Sequence, residues 1–106
     1  MSDKEKMIER IKETVLNTAP DSEVYLYGSQ ARETNNESSD WDLLVLLHQN
    51  KISFDFETKF MDDFYELELL TGAVISPLIY SKTDWDKIHL HSPLFENIQK
   101  DGIRIL

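Results

Sequence analysis

Residues 41–47 read Trp-Asp-Leu-Leu-Val-Leu-Leu, six apolar side chains and one acid in a row. A strand with one wet face alternates apolar and polar residues. A run this continuous is expected of a strand covered on both faces. The chain therefore needs layers above and below that strand, and it supplies helices for them. Met7, Ile8, Ile11, Val15 and Leu16 recur at helical spacing with charges between them. Ser2 or Asp3 can cap this first helix, and Pro20 lies just past its end. Between Ser53 and Leu70 the residues Phe56, Phe60, Phe64, Leu67 and Leu70 recur every three or four positions. Gly72 follows as a C-terminal stop.

Two more strands frame the central one. Ser-Glu-Val-Tyr-Leu-Tyr-Gly at 22–28 is β-branched and aromatic and closes on a glycine. Ala-Val-Ile-Ser-Pro-Leu-Ile-Tyr at 73–80 contains Pro77, which lacks a backbone donor and so predicts an edge position or a bulge. Residues 29–32 contain fair helix formers and 33–39 form a polar loop. Ser81 can cap a helical turn. Ser92, Pro93 and Gly102 mark N-cap, first turn and stop of a further helix. Residues 103–106 finish as a short strand or a packed tail. The order predicts one α/β domain over residues 1–106 with a small sheet, without repeats or linkers.

Charge narrows the partners. Eleven basic residues against 20 acidic ones give a net charge of -9. A non-specific nucleic-acid binder needs a basic stripe to neutralise phosphates, so no nucleic acid is expected as a partner. An anionic membrane surface is disfavoured for the same reason. An anionic ligand must then be held by a local device: a metal ion, a helix start or a placed arginine. There is no cysteine, which excludes disulfides and thiolate metal sites. The first residues are charged and lack the apolar core of a signal peptide. No apolar run approaches the ~20 residues of a membrane span. A soluble cytoplasmic domain is expected.

The chemistry centres on Asp40 and Asp42. Side chains two apart on a strand point the same way, so two carboxylates are presented to one place while Trp41 points to the other face. Like charges held this close repel unless a cation sits between them. Hard oxygen ligands suit Mg2+ or Mn2+, and magnesium takes its remaining ligands from water and substrate phosphates. Gly28-Ser29 offers the complementary half. A glycine at a strand end lets backbone approach a ligand closely, and a helix starting at Ser29 presents free N–H groups and a hydroxyl to an anion. Together the two halves form a metal–triphosphate clamp suited to in-line phosphoryl or nucleotidyl transfer. Taken singly, an Asp-x-Asp is also the acidic threshold of a solvated loop, and a Gly-Ser is also a turn.

The combined pattern is Gly28-Ser29, ten residues, then Asp40-x-Asp42 running into an aliphatic strand. With Tyr-Gly-Ser-Gln-Ala-Arg at 27–32 and Ser-Asp-Trp-Asp-Leu-Leu-Val at 39–45, it resembles the signature of the DNA polymerase β-like nucleotidyltransferases, in particular the minimal nucleotidyltransferase (MNT) branch. The close resemblance covers Tyr25 to Leu47. It implies an α/β (α+β) fold with a small mixed sheet flanked by helices, like the polymerase β palm. It implies Asp40 and Asp42 as catalytic ligands of Mg2+ or Mn2+, and Gly28 and Ser29 on the phosphates of a nucleoside triphosphate. Arg32 falls on the family's common arginine, placed to reach a phosphate or to tie down the Asp40 loop. The chain departs from the pattern at one point. Active members usually carry a third carboxylate on a later strand, and here Ser76 stands where it is expected.

Other candidates have plainer readings. His89 and His91 form a His-x-His pair without a third ligand nearby, and His48 follows the central strand as a surface residue. The Phe56, Phe60, Phe64 row is core packing by default, although an apolar excess on that helix would also suit a partner surface. One or both of Asp62 and Asp63, with Glu66 and Glu68, belong to a solvated helix face. Asp84 and Asp86 form a second Asp-x-Asp, best explained as charge at a helix start.

The leading expectation is a nucleotidyltransferase that binds Mg-NTP, ATP foremost, and transfers NMP to a hydroxyl acceptor. In the MNT branch the acceptor can be a tyrosine of a helical HEPN toxin, with the MNT protein as antitoxin. The alternative is a non-catalytic module that binds nucleotide or neutralises a basic partner by contact. An aminoglycoside-type nucleotidyltransferase ranks third, because 106 residues leave no room for a separate acceptor-binding domain.

Overall fold

Strand β2 (Trp41–Leu47) lies inside a four-stranded mixed sheet of order β3-β2-β1-β4. The computed structural model describes residues 2–32, 40–88 and 92–106, without the side chains of Arg32 and Ile88. The loop expected over 33–39 and the pair His89 and His91 lie outside the described residues, as does the Arg32 side chain. In chain order the elements are α1 (Asp3–Thr18), β1 (Glu23–Tyr27), α2 (Gly28–Arg32), β2, α3 (Phe54–Thr71), β3 (Ile75–Ser81), α4 (Lys82–Ile88), α5 (Pro93–Asp101) and β4 (Ile103–Arg104). β1 is antiparallel to both β2 and β4. β2 and β3 run parallel, with α3 as the crossover that a parallel pair requires.

Both faces of β2 are covered, as its composition demands. Leu43, Val45 and Leu47 join Val24 and Leu26 on one face, under Met7, Ile11 and Val15 of α1 and Phe60, Phe64 and Leu67 of α3. Leu44 and Leu46 face the other way, against Trp85 of α4 and Ile98 of α5, ringed by Tyr25, Tyr80 and Phe95. Phe60 and Phe64 stack with centroids 5.1 Å apart. The helix ends follow their local chemistry. The hydroxyl of Ser53 accepts from the N–H of Phe56, and Gly72 takes the left-handed cap at φ 74°. Ser2 accepts from Glu5, Ser81 from Asp84 and Ser92 from Leu94.

Two apolar residues counted into helical rows stay outside the core. Leu16 is 43% exposed and Leu70 68% exposed. Each lies off the stripe that its helix turns to the sheet, so periodicity alone overstates the core by these two.

Pro77 occupies an edge strand without a bulge. The carbonyl of Val74 accepts from Trp41 N–H of β2. Backbone groups of alternate residues point to alternate sides, so 75, 77 and 79 turn away from β2. The N–H of Ile75 accordingly goes to the Glu68 carboxylate at 2.8 Å, and Pro77, two residues on, lacks only an outward donor. This corrects the expectation for Glu68, which is tied to the start of β3 instead of facing solvent.

Candidate active site

The end of β1, the start of β2 and the start of β3 meet at one edge of the second face. Tyr27 is registered against Asp42 across the antiparallel pair. Asp42 is registered against Ser76 across the parallel pair. Registered neighbours share a face, so Tyr27, Asp42 and Ser76 form one row with the carboxylate in the middle. The face is the one that carries Leu44 and Leu46 further in. Trp41 takes the opposite face and is buried there, as strand parity requires.

Gly28 closes the row against Asp42. Its φ is 73°, a left-handed conformation that L side chains rarely adopt. A Cβ built there would collide with Asp42 Oδ2 and stand 3.3 Å from Asp42 Cγ. Glycine is thus required twice, by the turn and by the carboxylate behind it. The turn leads straight into α2, whose second residue is the half-buried Ser29. Asp40 stands one residue ahead of β2 and is exposed. By parity it lies on the Asp42 side of the strand. The structure brings Gly28, Asp42 and Ser76 together and sets Ser29 beside them.

Tyr27 was not singled out by the sequence. Burial pushes its phenol pKa up, and the negative charge of Asp42 and the nearby Tyr80 add to the rise. It therefore stands as a neutral O–H at neutral pH. Position supplied a signal that went unused: Tyr27 is the last strand residue before the glycine.

Among the described residues, no group of three or more His, Cys, Asp or Glu side chains is placed to hold a metal ion. The donor set is narrower: two carboxylates at an open strand mouth, with a hydroxyl alongside. That chemistry fits a hard cation that keeps water and takes phosphate oxygens as its other ligands. On β3 the residue registered with Asp42 is Ser76, a hydroxyl and not a carboxylate. A cleft of about 670 Å³ lies elsewhere. It lies between α1, Gln30, Trp41 and the end of α3, on the far side of Trp41 from Asp42.

The profile of the family described as "Polymerase beta, Nucleotidyltransferase" matches residues 9–106. The chain belongs to this family. Among solved structures, a toxin–antitoxin with AMP-PNP is similar at TM-score 0.65 and 15% identity, over 93% of this chain and 72% of that one. The toxin–antitoxin MntA-HpeT, with two aspartates changed to glutamate, is similar at TM-score 0.62 and 12% identity, over 93% and 71%. A candidate nucleotidyltransferase from Sulfolobus solfataricus is similar at TM-score 0.59 and 19% identity, over 95% and 80%. No curated protein matches the chain significantly. At these identities the likeness is one of fold.

The far end of the nucleotidyltransferase sheet carries a second polar group that the sequence did not reveal. Glu23 is buried, accepts from Tyr25 O–H at 2.8 Å and bonds His48 Nε2 at 2.7 Å. Arg104 and Lys82 approach it at 3.7 and 3.9 Å. His48 is therefore a surface residue with a structural partner. Burial pushes the Glu23 carboxyl up, but the bonds from His48 and Tyr25 and the charges of Lys82 and Arg104 outweigh it and leave it below 4.5. A carboxyl lowered by folding contributes stability above its unfolded pKa, and that contribution is lost as pH falls through the folded value. Glu23→Gln is expected to flatten the acid limb of the stability–pH curve below pH 4.5. Urea titrations from pH 3 to 7 check this, and an unchanged acid limb would refute the assignment. Asp84 and Asp86 keep their plainer reading: Asp84 lies in the first turn of α4, and Asp86 is 3.9 Å from Lys82.

No helix among the described residues is long and apolar enough to cross a membrane.

Proposed function

We propose that the chain is an MNT-type nucleotidyltransferase domain that holds a nucleoside triphosphate, ATP foremost, at the mouth formed by Gly28, Ser29, Asp40 and Asp42. The observation that carries this reading is the seating of Asp42 directly behind the Gly28 turn, which sets a carboxylate and a helix start on one small space. Asp40 and Asp42 would hold Mg2+ or Mn2+, which when bound neutralises phosphate charge and orients the reacting oxygens. The chain's own groups do the rest. The Gly28 turn brings backbone within reach of the phosphates, and Ser29 adds a hydroxyl at the helix start. Tyr27 offers a neutral donor beside Asp42. Residues 1–106 act as one domain, in the cytoplasm, where the nucleotide is abundant.

The acceptor in this proposal is a hydroxyl, such as a tyrosine of a HEPN-type toxin, with this chain as the antitoxin. Two similar structures are toxin–antitoxin assemblies, one of them holding AMP-PNP. The test incubates the protein with labelled ATP, Mg2+ and the product of the adjacent gene. Label on that product with wild type and not with Asp42→Asn supports transfer. Equal neutralisation of the neighbour by both proteins, without label, sinks it.

Ser76 motivates the second reading, a nucleotide-binding module that neutralises its partner by contact. A serine hydroxyl is a poor base near neutral pH. Ser76→Asp is expected to tighten Mn2+ binding by about tenfold, since a third carboxylate joins the pair. The same change should lower thermal stability without metal, because two carboxylates then stand side by side in the row with Asp40 on the same side. Calorimetric metal titration and melting curves with and without Mn2+ check both halves.

A further inference from the structure

Helix α3 carries two apolar stripes, and only one is used by the fold. Phe60, Phe64 and Leu67 are buried against the sheet. Phe54, Met61, Tyr65 and Leu69 recur at intervals of seven, four and four residues, which sets them along another side of the same helix. They are 81%, 42%, 59% and 69% exposed. The stripe runs most of the helix length and is rich in the aromatic and methionine side chains that interface cores favour. Acids border it on both sides, Asp55, Asp62 and Glu66 along one edge and Glu57 along the other, all exposed. The only base on α3 is Lys59. The caps at Ser53 and Gly72 and the stacked phenylalanines hold the helix rigid, so little ordering cost accompanies binding.

We infer that this stripe is the docking surface for a basic amphipathic helix of a partner protein. Its apolar side chains would lie along Phe54, Met61, Tyr65 and Leu69, and its lysines or arginines against the acidic borders. Charge complementarity selects that occupant. A second copy of this chain would set acid against acid, because a two-fold interface meets itself, and the protein already carries a net charge of -9. The inference rests on the proposed function for the existence of a partner. Its test needs neither nucleotide nor transfer, so the two can fail separately.

The probe is a synthetic helical peptide of leucines at three- and four-residue spacing with lysines between them. A peptide of the same composition in scrambled order is the control. Amide chemical-shift mapping and titration on the whole protein are expected to centre on residues 54–69, with the scrambled peptide at least about tenfold weaker. Tyr65→Lys and Leu69→Lys should each weaken the patterned peptide by about tenfold or more. Both positions are exposed, and unchanged melting curves will confirm that the fold is intact. Equal binding of the two peptides, shifts centred elsewhere, or no binding of either would overturn the inference. So would self-association of the protein alone that Tyr65→Lys abolishes, since the occupant would then be a second copy.

Discussion

Asp42→Asn is expected to lower label transfer from ATP to the partner protein, and Mg-ATP affinity with it, by more than roughly a hundredfold. The side chain keeps its shape and loses its charge. A neutral amide is a weak ligand for a hard cation, and Asp40 alone, exposed ahead of the strand, cannot replace it. Asp42 is half-buried at the strand mouth, outside the packed core, so folding stability should stay within about 1 kcal/mol of wild type. A second readout is independent of nucleotide. The Asp42 charge contributes to the raised pKa of Tyr27, so in Asp42→Asn the Tyr27 phenol should ionise at lower pH than in the parent. Ultraviolet titration between pH 8 and 12, with Tyr27→Phe identifying the transition, measures it. Full transfer activity in the variant would remove Asp42 from the chemistry. An unmoved Tyr27 would contradict the row of side chains.

Gly28→Ala is expected to damage both the fold and the site. At φ 73° a non-glycine residue costs on the order of 1–3 kcal/mol. The collision of its Cβ is with Asp42 Oδ2, the tip of a half-buried side chain, so its main effect is to displace that carboxylate. Asp42 can yield only by swinging away, which separates the carboxylate from the turn. Nucleotide binding should therefore fall along with stability. Gly72→Ala separates the causes. Gly72 shares the left-handed φ of 74°, yet a Cβ there meets nothing within 4 Å. It should cost only the backbone strain and leave nucleotide binding unchanged. Urea denaturation and calorimetric titration on the two variants give the comparison; equal losses of binding would refute the steric argument.

The parts of this fold that the sequence made legible are those written in local chemistry. Ser53 and Gly72 bracket α3, Pro77 belongs to an edge strand, and the apolar run at 41–47 is covered on both faces. Each is decided by a residue's own conformational limits or by a strand's own composition. The Asp40–Asp42 and Gly28–Ser29 pattern was legible for the same reason. What stayed hidden depends on register. Tyr27 flanks Asp42 because two antiparallel strands align at particular residues, whereas Ser76, across the parallel pair, was named through the family resemblance. No local preference specifies that alignment uniquely. Glu23 was missed likewise, since its partners His48, Lys82 and Arg104 come from three separate segments. On α3 the difficulty was different. A helix with apolar residues on two sides shows a helical period for both, and only packing tells Phe64 from Tyr65.

The hydrogen bond from Ile75 N–H to Glu68 has a consequence for how an acceptor would be aimed. It fastens the last turns of α3 to the strand that carries Ser76, one residue away. The outer stripe ends at Leu69, the residue after Glu68. The end of the stripe is thus tied to the strand that runs beside Asp42. Under the proposed function, a chain gripping the stripe would be indexed against Asp42 as a workpiece is against a fixed stop, so the angle at which it arrives, more than the strength of its hold, would decide which of its hydroxyls reaches the phosphates.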